Sequence, residues 1–166
     1  MLKVSDIVVG PIATYRCYIS EIADKKIDTY DIQGGGKQHL SLKLVGKDFL
    51  KTTLDDNNSE CEQWFGGRIP DLISTDKSII IKCGDTDPTK ILQYFSRLEI
   101  EKIIIIPYPD PDVDTIKGYL FMKNKILDEY IVHKKECFIS ENKQYIKRYD
   151  KKQGNYSSLV LVMLLW

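Results

Sequence analysis

The plainest signal along this chain is a change in the period of its apolar residues. From His39 to Thr53, Leu40, Leu44, Val45 and Phe49 recur at helical spacing, with Lys43 and Lys47 on another face, so an amphipathic helix is expected. Asp55 to Ser59 has the composition of a turn. The period then shortens. Glu60 to Phe65 reads as a strand, Gly66-Gly67 as a hairpin turn and Arg68 to Ser74 as the return strand. After a second turn at Thr75 to Lys77, Ser78 to Cys83 carries Ile79-Ile80-Ile81, and Lys102 to Pro107 carries Ile103 to Ile106. Continuous apolar runs of this length predict strands buried on both faces. Between them, Ile91, Leu92, Phe95 and Leu98 form the apolar face of a helix, with Pro88 at its first position and Thr86 or Asp87 as its cap. A helix joining two buried strands is a βαβ unit, whose strands are expected to be parallel.

The flanks are less regular. Leu2 to Ile12 suits a short helix or a strand, and the pattern does not choose. Arg16 to Ile22 alternates at Tyr18, Ser20 and Ile22, which predicts a strand. Gln33 to Gly36 reads as a flexible linker, because its glycines lack the spacing and the preceding strand of a nucleotide loop. Tyr108 to Asp114 is a loop, and Tyr119 to Trp166 has room for one or two strands and a helix. No repeat or domain linker interrupts the chain. A single α/β domain over residues 1–166 is expected, with a mixed sheet flanked by helices.

Composition narrows the function classes. The chain has 166 residues, and its 24 Lys and Arg are balanced by 24 Asp and Glu, so any basic surface for nucleic acid must be local. Cys17, Cys61, Cys83 and Cys137 include no CxxC pair, which argues against a zinc site or a disulfide framework. The abundance of Ile, Lys and Tyr beside only two alanines is read as nucleotide bias of the genome. The first residues, with Asp6 among them, do not read as a signal peptide, and the apolar Leu159 to Trp166 is too short to span a bilayer as a helix. A cytosolic protein is expected, its apolar tail either buried or a dimer contact.

The candidate chemistry lies between Glu60 and Asp87. Phosphodiester hydrolysis uses carboxylates to hold a divalent cation and profits from a lysine near the attacked phosphate. Asp71 closes one strand of the hairpin, and Lys82 ends the next apolar strand, where a lysine needs water or a partner, which an opposed Asp71 would supply. Asp85 and Asp87 follow at the end of that strand, where open α/β sheets place their sites, although both also suit a helix cap. Trp64 is expected to pack within the fold. Lys147-Arg148-Tyr149 with Lys151-Lys152 reads as an exposed basic stretch.

This arrangement resembles the PD-(D/E)xK superfamily, the restriction-endonuclease-like nucleases, over roughly residues 39–110. The order helix, β-hairpin, central strand, helix, strand agrees with that core, and Pro70-Asp71 agrees with its first half-motif. The resemblance implies DNA cleavage with Mg²⁺ or Mn²⁺. Asp71 would be a metal ligand and catalytic residue, Glu62 (or Glu60) an additional acidic ligand, and Lys82 the catalytic lysine. Lys43, Lys47 and Arg68 are assigned to nucleic-acid contact. The second half-motif departs from the pattern. If Lys82 is the motif lysine, the acidic position falls on Ile80. Alternatively, Ile-Ile-Ile-Lys82-Cys-Gly aligns with variants carrying glutamate before Cys-Gly. Lys82 then replaces the carboxylate, Lys90 becomes a relocated catalytic lysine, and Asp85 or Asp87 becomes a substitute ligand. Two readings follow: a metal-dependent nuclease, or a module of the same fold that lost catalysis and binds nucleic acid or protein as a monomer or homodimer. A viral, plasmid or archaeal source is compatible with either.

Overall fold

A computed structural model of the chain describes residues 3–27, 34–65, 67–86 and 88–123. Six strands form one mixed sheet in the order β1-β6-β5-β4-β3-β2. They are β1 (Lys3–Pro11), β2 (Glu60–Cys61), β3 (Leu72–Ile73), β4 (Ile79–Cys83), β5 (Lys102–Ile106) and β6 (Thr115–Met122). The helices are α1 (Ile12–Ala23), α2 (Lys37–Leu54) and α3 (Pro88–Phe95).

The two isoleucine runs form the centre of the sheet, as their double-sided apolarity predicts. β4 and β5 are parallel, with Ile80 beside Ile103 and Lys82 beside Ile105, and α3 crosses between them. Alternate residues of each run face opposite layers. Ile79, Ile81, Cys83, Ile104 and Ile106 join one core cluster with Leu42, Val45, Phe49 and Leu50 of α2 and Ile12 and Tyr15 of α1. Ile80, Ile103 and Ile105 join the other, with Ile91, Tyr94 and Phe95 of α3. The sheet is thus sandwiched between α1 and α2 on one side and α3 on the other. The remaining neighbouring strands pair antiparallel. β6 inserts between β1 and β5, so the sheet reaches past the 39–110 core on both sides of the sequence.

Several expectations need correction. Leu2 to Ile12 resolves into the edge strand β1, which ends where Pro11 caps α1. Arg16 to Ile22 is helical, not extended. The buried or half-buried Ile12, Tyr15, Tyr18 and Ile19 share one helical face, and packing of that face outweighs the local alternation. Tyr18 donates a hydrogen bond to Asp48 and so ties α1 to α2. Gly34 to Gly36 are part of a built helix start, since Gly36 caps α2 and the Gly34 carbonyl accepts a hydrogen bond from Lys43. α3 ends at Phe95, so Leu98 falls beyond its apolar face and is 72% exposed. The hairpin strands pair at Glu60–Cys61 with Leu72–Ile73 and again at Phe65 with Arg68. The basic run at Lys147 to Lys152, Cys137, Asp87 and the tail Leu159 to Trp166 lie outside the described residues.

α2 lies close on the sheet at Gly46. A Cβ there would stand 2.7 Å from a Leu72 methyl and 3.3 Å from one of Ile106. Both side chains are fully buried, so neither can withdraw. We expect Gly46→Val to overpack this seam and lower stability by about 1–3 kcal/mol. Urea denaturation of both proteins would measure this, and an unchanged midpoint would contradict it.

Candidate functional site

The antiparallel register builds the site. Leu72 pairs with Ile81 and Ile73 with Ile80, so Asp71, one residue earlier, stands opposite Lys82. Glu62 donates its backbone N–H to the Asp71 carbonyl at 3.2 Å. The Asp71 side chain is buried, with a side-chain exposure of only 9%. Burial of an isolated carboxylate would be costly. Its Oδ2 accepts from the Lys82 ammonium at 2.9 Å and from the Cys83 backbone N–H at 2.7 Å, and His39 Nε2 stands 3.3 Å from its Oδ1. Burial pushes the Asp71 pKa up, but His39, Lys82 and the Cys83 amide outweigh it and hold the group down at about 2. The same negative charge, added to burial, raises the neighbouring Cys83 thiol. Burial, reinforced by Asp71 and partly opposed by Arg68, raises the Tyr94 phenol to about 12.

His39 extends this line outward, with its Nδ1 3.5 Å from the Tyr108 hydroxyl. Tyr108 covers Gly84, where φ is +74° and a Cβ would meet the ring at 2.7 Å. Glycine is therefore required both by the turn that ends β4 and by the ring above it. Sequence reasoning left His39 unassigned and Tyr108 in a loop. Neither sits in a motif, and only the register brings them to Asp71.

The other candidate residues do not converge. Lys43, expected on a face open to nucleic acid, is fully buried. Its ammonium contacts Glu62 Oε1 at 2.6 Å and the Gly34 carbonyl at 3.1 Å. Glu62 has a left-handed backbone, φ +51°, and its carboxylate goes to Lys43 of α2 instead of joining Asp71. Asp85 is exposed just past β4 and raises the Tyr108 phenol, to which burial contributes most. Lys90 is half-buried on α3, and none of the described ion pairs joins it to Asp71. Lys47 and Arg68 are also half-buried. Ile80, the acidic position of the first alignment, is sealed beneath α3 with no exposure. Trp64, expected to pack, is 71% exposed.

These residues do not fit a divalent cation. Among the described residues no group of three His, Cys, Asp or Glu side chains converges on one point. An ammonium, which repels a cation, occupies the place beside Asp71 that a second carboxylate would need. Also among the described residues, no helix is long and apolar enough to cross a membrane. Comparison with protein-family models, with curated proteins and with solved structures finds no match.

Two outcomes are expected. The lowered pKa of Asp71 contributes stability that is present above the ordinary carboxylate value of 3.8 and is lost as pH falls towards about 2. Asp71→Asn should therefore cost roughly 2 kcal/mol near neutrality. The gap between wild type and variant should close between about pH 5 and pH 2; a gap that stays constant down to pH 2 would contradict this. Glu62→Ala removes the carboxylate that compensates the buried Lys43 charge and should cost about 3–5 kcal/mol, whereas Lys43→Met should cost less because Glu62 is 31% exposed and can be hydrated. Chemical denaturation gives the order of the two, and the reverse order would overturn this account of the pair.

Proposed function

We propose that this chain is a non-catalytic nucleic-acid-binding module built on a restriction-endonuclease-like core. The element order α2, β2–β3 hairpin, β4, α3, β5 supports that core, with β4 and β5 parallel and the hairpin antiparallel to β4. The observation that carries the loss of catalysis is the state of Asp71. Its carboxylate is engaged by Lys82, His39 and the Cys83 amide, and a lysine directly beside Asp71 supports the alignment in which lysine has replaced the acidic residue. An Asp–Lys pair of this kind is internally neutral and makes no demand for a metal ion. Lys82 keeps further N–H donors beyond the one given to Asp71, so its ammonium remains able to hold a phosphate.

One observation favours a second reading, a Mg²⁺- or Mn²⁺-dependent nuclease acting on DNA. Asp71 and Lys82 do stand together at the end of β4, as a catalytic carboxylate and lysine would. The same experiment separates the two. Labelled single- and double-stranded DNA is incubated with wild type and Asp71→Ala in Mg²⁺ and in Mn²⁺. We expect no cleavage by either folded protein. Metal-dependent cutting by the wild type that disappears in Asp71→Ala would establish the nuclease and end the non-catalytic reading. Lys82→Glu gives a further check by setting a second carboxylate beside Asp71. Mn²⁺ should raise the melting temperature of that variant and leave the wild type unchanged. Stabilisation of the wild type by Mn²⁺ would count against the account of the Asp71–Lys82 pair.

A further inference from the structure

The inner face of the β2–β3 hairpin carries a cation that the fold does not use. Phe65 and Arg68 stand opposite each other, and each donates its N–H to the other's carbonyl, at 2.7 and 3.1 Å. Residues directly opposite in an antiparallel pair share a face of the sheet. Phe65 packs against the core cluster beneath α3, so Arg68 lies on the α3 side as well. It is half-buried and takes part in none of the described ion pairs.

Lys82 belongs to the same side. It follows Ile80 by two residues and pairs with Ile105, and both isoleucines are members of that cluster. Its side chain is 13% exposed, and one of its N–H donors goes to Asp71. Tyr94 reaches this end of the sheet from α3, and Asp71 and Arg68 are the charges that bear on its phenol. The residue is only 3% exposed, yet among the described residues its hydroxyl takes no hydrogen bond. A buried hydroxyl is ordinarily bonded, so one left open by the protein is served by water or by a ligand. Lys90 precedes Tyr94 by one helical turn and shares its face of α3. The carboxylates described on this side are Asp71, already held by Lys82, and Glu60, exposed opposite Ile73. Cations therefore outnumber carboxylates here, although the chain as a whole is neutral.

The donors select the ligand. A guanidinium fork, an ammonium with spare N–H groups and a phenol O–H are all able to donate to the oxygens of one phosphate. A nucleic-acid strand presents such phosphates in succession, which suits cations spread over a hairpin and a helix.

We propose that Arg68, Lys82 and the Tyr94 hydroxyl together seat a backbone phosphate of a nucleic-acid strand on the α3 side of the hairpin, with Lys90 as a flanking cation. This rests on the binding reading above and adds to it the side of the sheet where contact is made and two contact residues, Arg68 and Tyr94. A seat of this kind reads no base, so strands of different sequence should bind alike.

The test is fluorescence anisotropy of fluorescein-labelled oligonucleotides, of two unrelated sequences, with the full-length protein in EDTA over a series of salt concentrations. Wild type is compared with Arg68→Ala, Arg68→Lys, Tyr94→Phe and, as a control on the exposed end of α2, Lys51→Ala. Arg68→Ala should weaken binding about tenfold for both sequences and lower the salt slope by about 1. Arg68→Lys should restore the slope but only part of the affinity. Tyr94→Phe removes an oxygen that the fold does not bond, so it should leave the melting temperature unchanged and still weaken binding about threefold or more. Lys51→Ala should bind as wild type does. If wild type binds and Tyr94→Phe binds equally well, or Arg68→Ala keeps the wild-type slope, the seat is overturned and the binding reading stands. If the folded wild type binds neither oligonucleotide, both fall.

Discussion

A carboxylate taken out of water has to be compensated where it lies, and Asp71 meets that demand with partners from two elements. Lys82 and the Cys83 amide come from β4, and His39 comes from the first turns of α2. The consequence is mechanical as well as electrostatic. The pair closes the hairpin against the central strand at the point where the β3–β4 ladder ends, and His39 fixes the start of α2 over the same point. Replacing the triad with apolar residues of equal volume would cost little in principle, but removing one member leaves the others uncompensated. Stability and the identity of the site are therefore the same question in this protein.

A second charge pair, with its lysine buried and its carboxylate partly exposed, has a parallel effect. Lys43 lies fully buried beneath the hairpin and draws the Glu62 carboxylate to α2, through a left-handed backbone at Glu62. The acid that would have stood near Asp71 is thereby committed elsewhere. The residues that gave the chain its nuclease-like appearance, Asp71, Glu62 and Lys82, are all engaged in internal pairs. What remains uncompensated at the surface is of a different kind. Trp64 and Ile69 stand exposed on one face of a hairpin whose other face is anchored by Phe65.

Much of the fold could be read from the residues. The isoleucine runs at Ile79 to Ile81 and Ile103 to Ile106 determined two doubly buried strands, and the helix between them required a parallel pair. The apolar spacing of Leu40, Leu44, Val45 and Phe49 predicted α2, although its buried face takes Leu42 in place of Leu40 and Leu44. These are statements of period and length, which a chain carries locally. The strand Arg16 to Ile22 was misread for the same reason. A short local alternation there competes with a helical face that matters only once Ile12 and Tyr15 have a core to enter.

The candidate site was legible only in part. Asp71 and Lys82 were identifiable from their places at strand ends, since a charged residue closing an apolar run must find a partner. Their pairing was legible too, because an opposed Asp71 is the partner that Lys82 needs, and the two meet at 2.9 Å. Two things were decided by tertiary structure alone: that His39 and Tyr108 extend the line, and that Lys43 is buried against Glu62 while Trp64 is exposed. The physical reason is common to both. Charge compensation and burial depend on which residues the sheet register and helix packing bring within about 3 Å of one another, and that proximity is a property of the assembled sheet, whereas period and propensity belong to the sequence by itself.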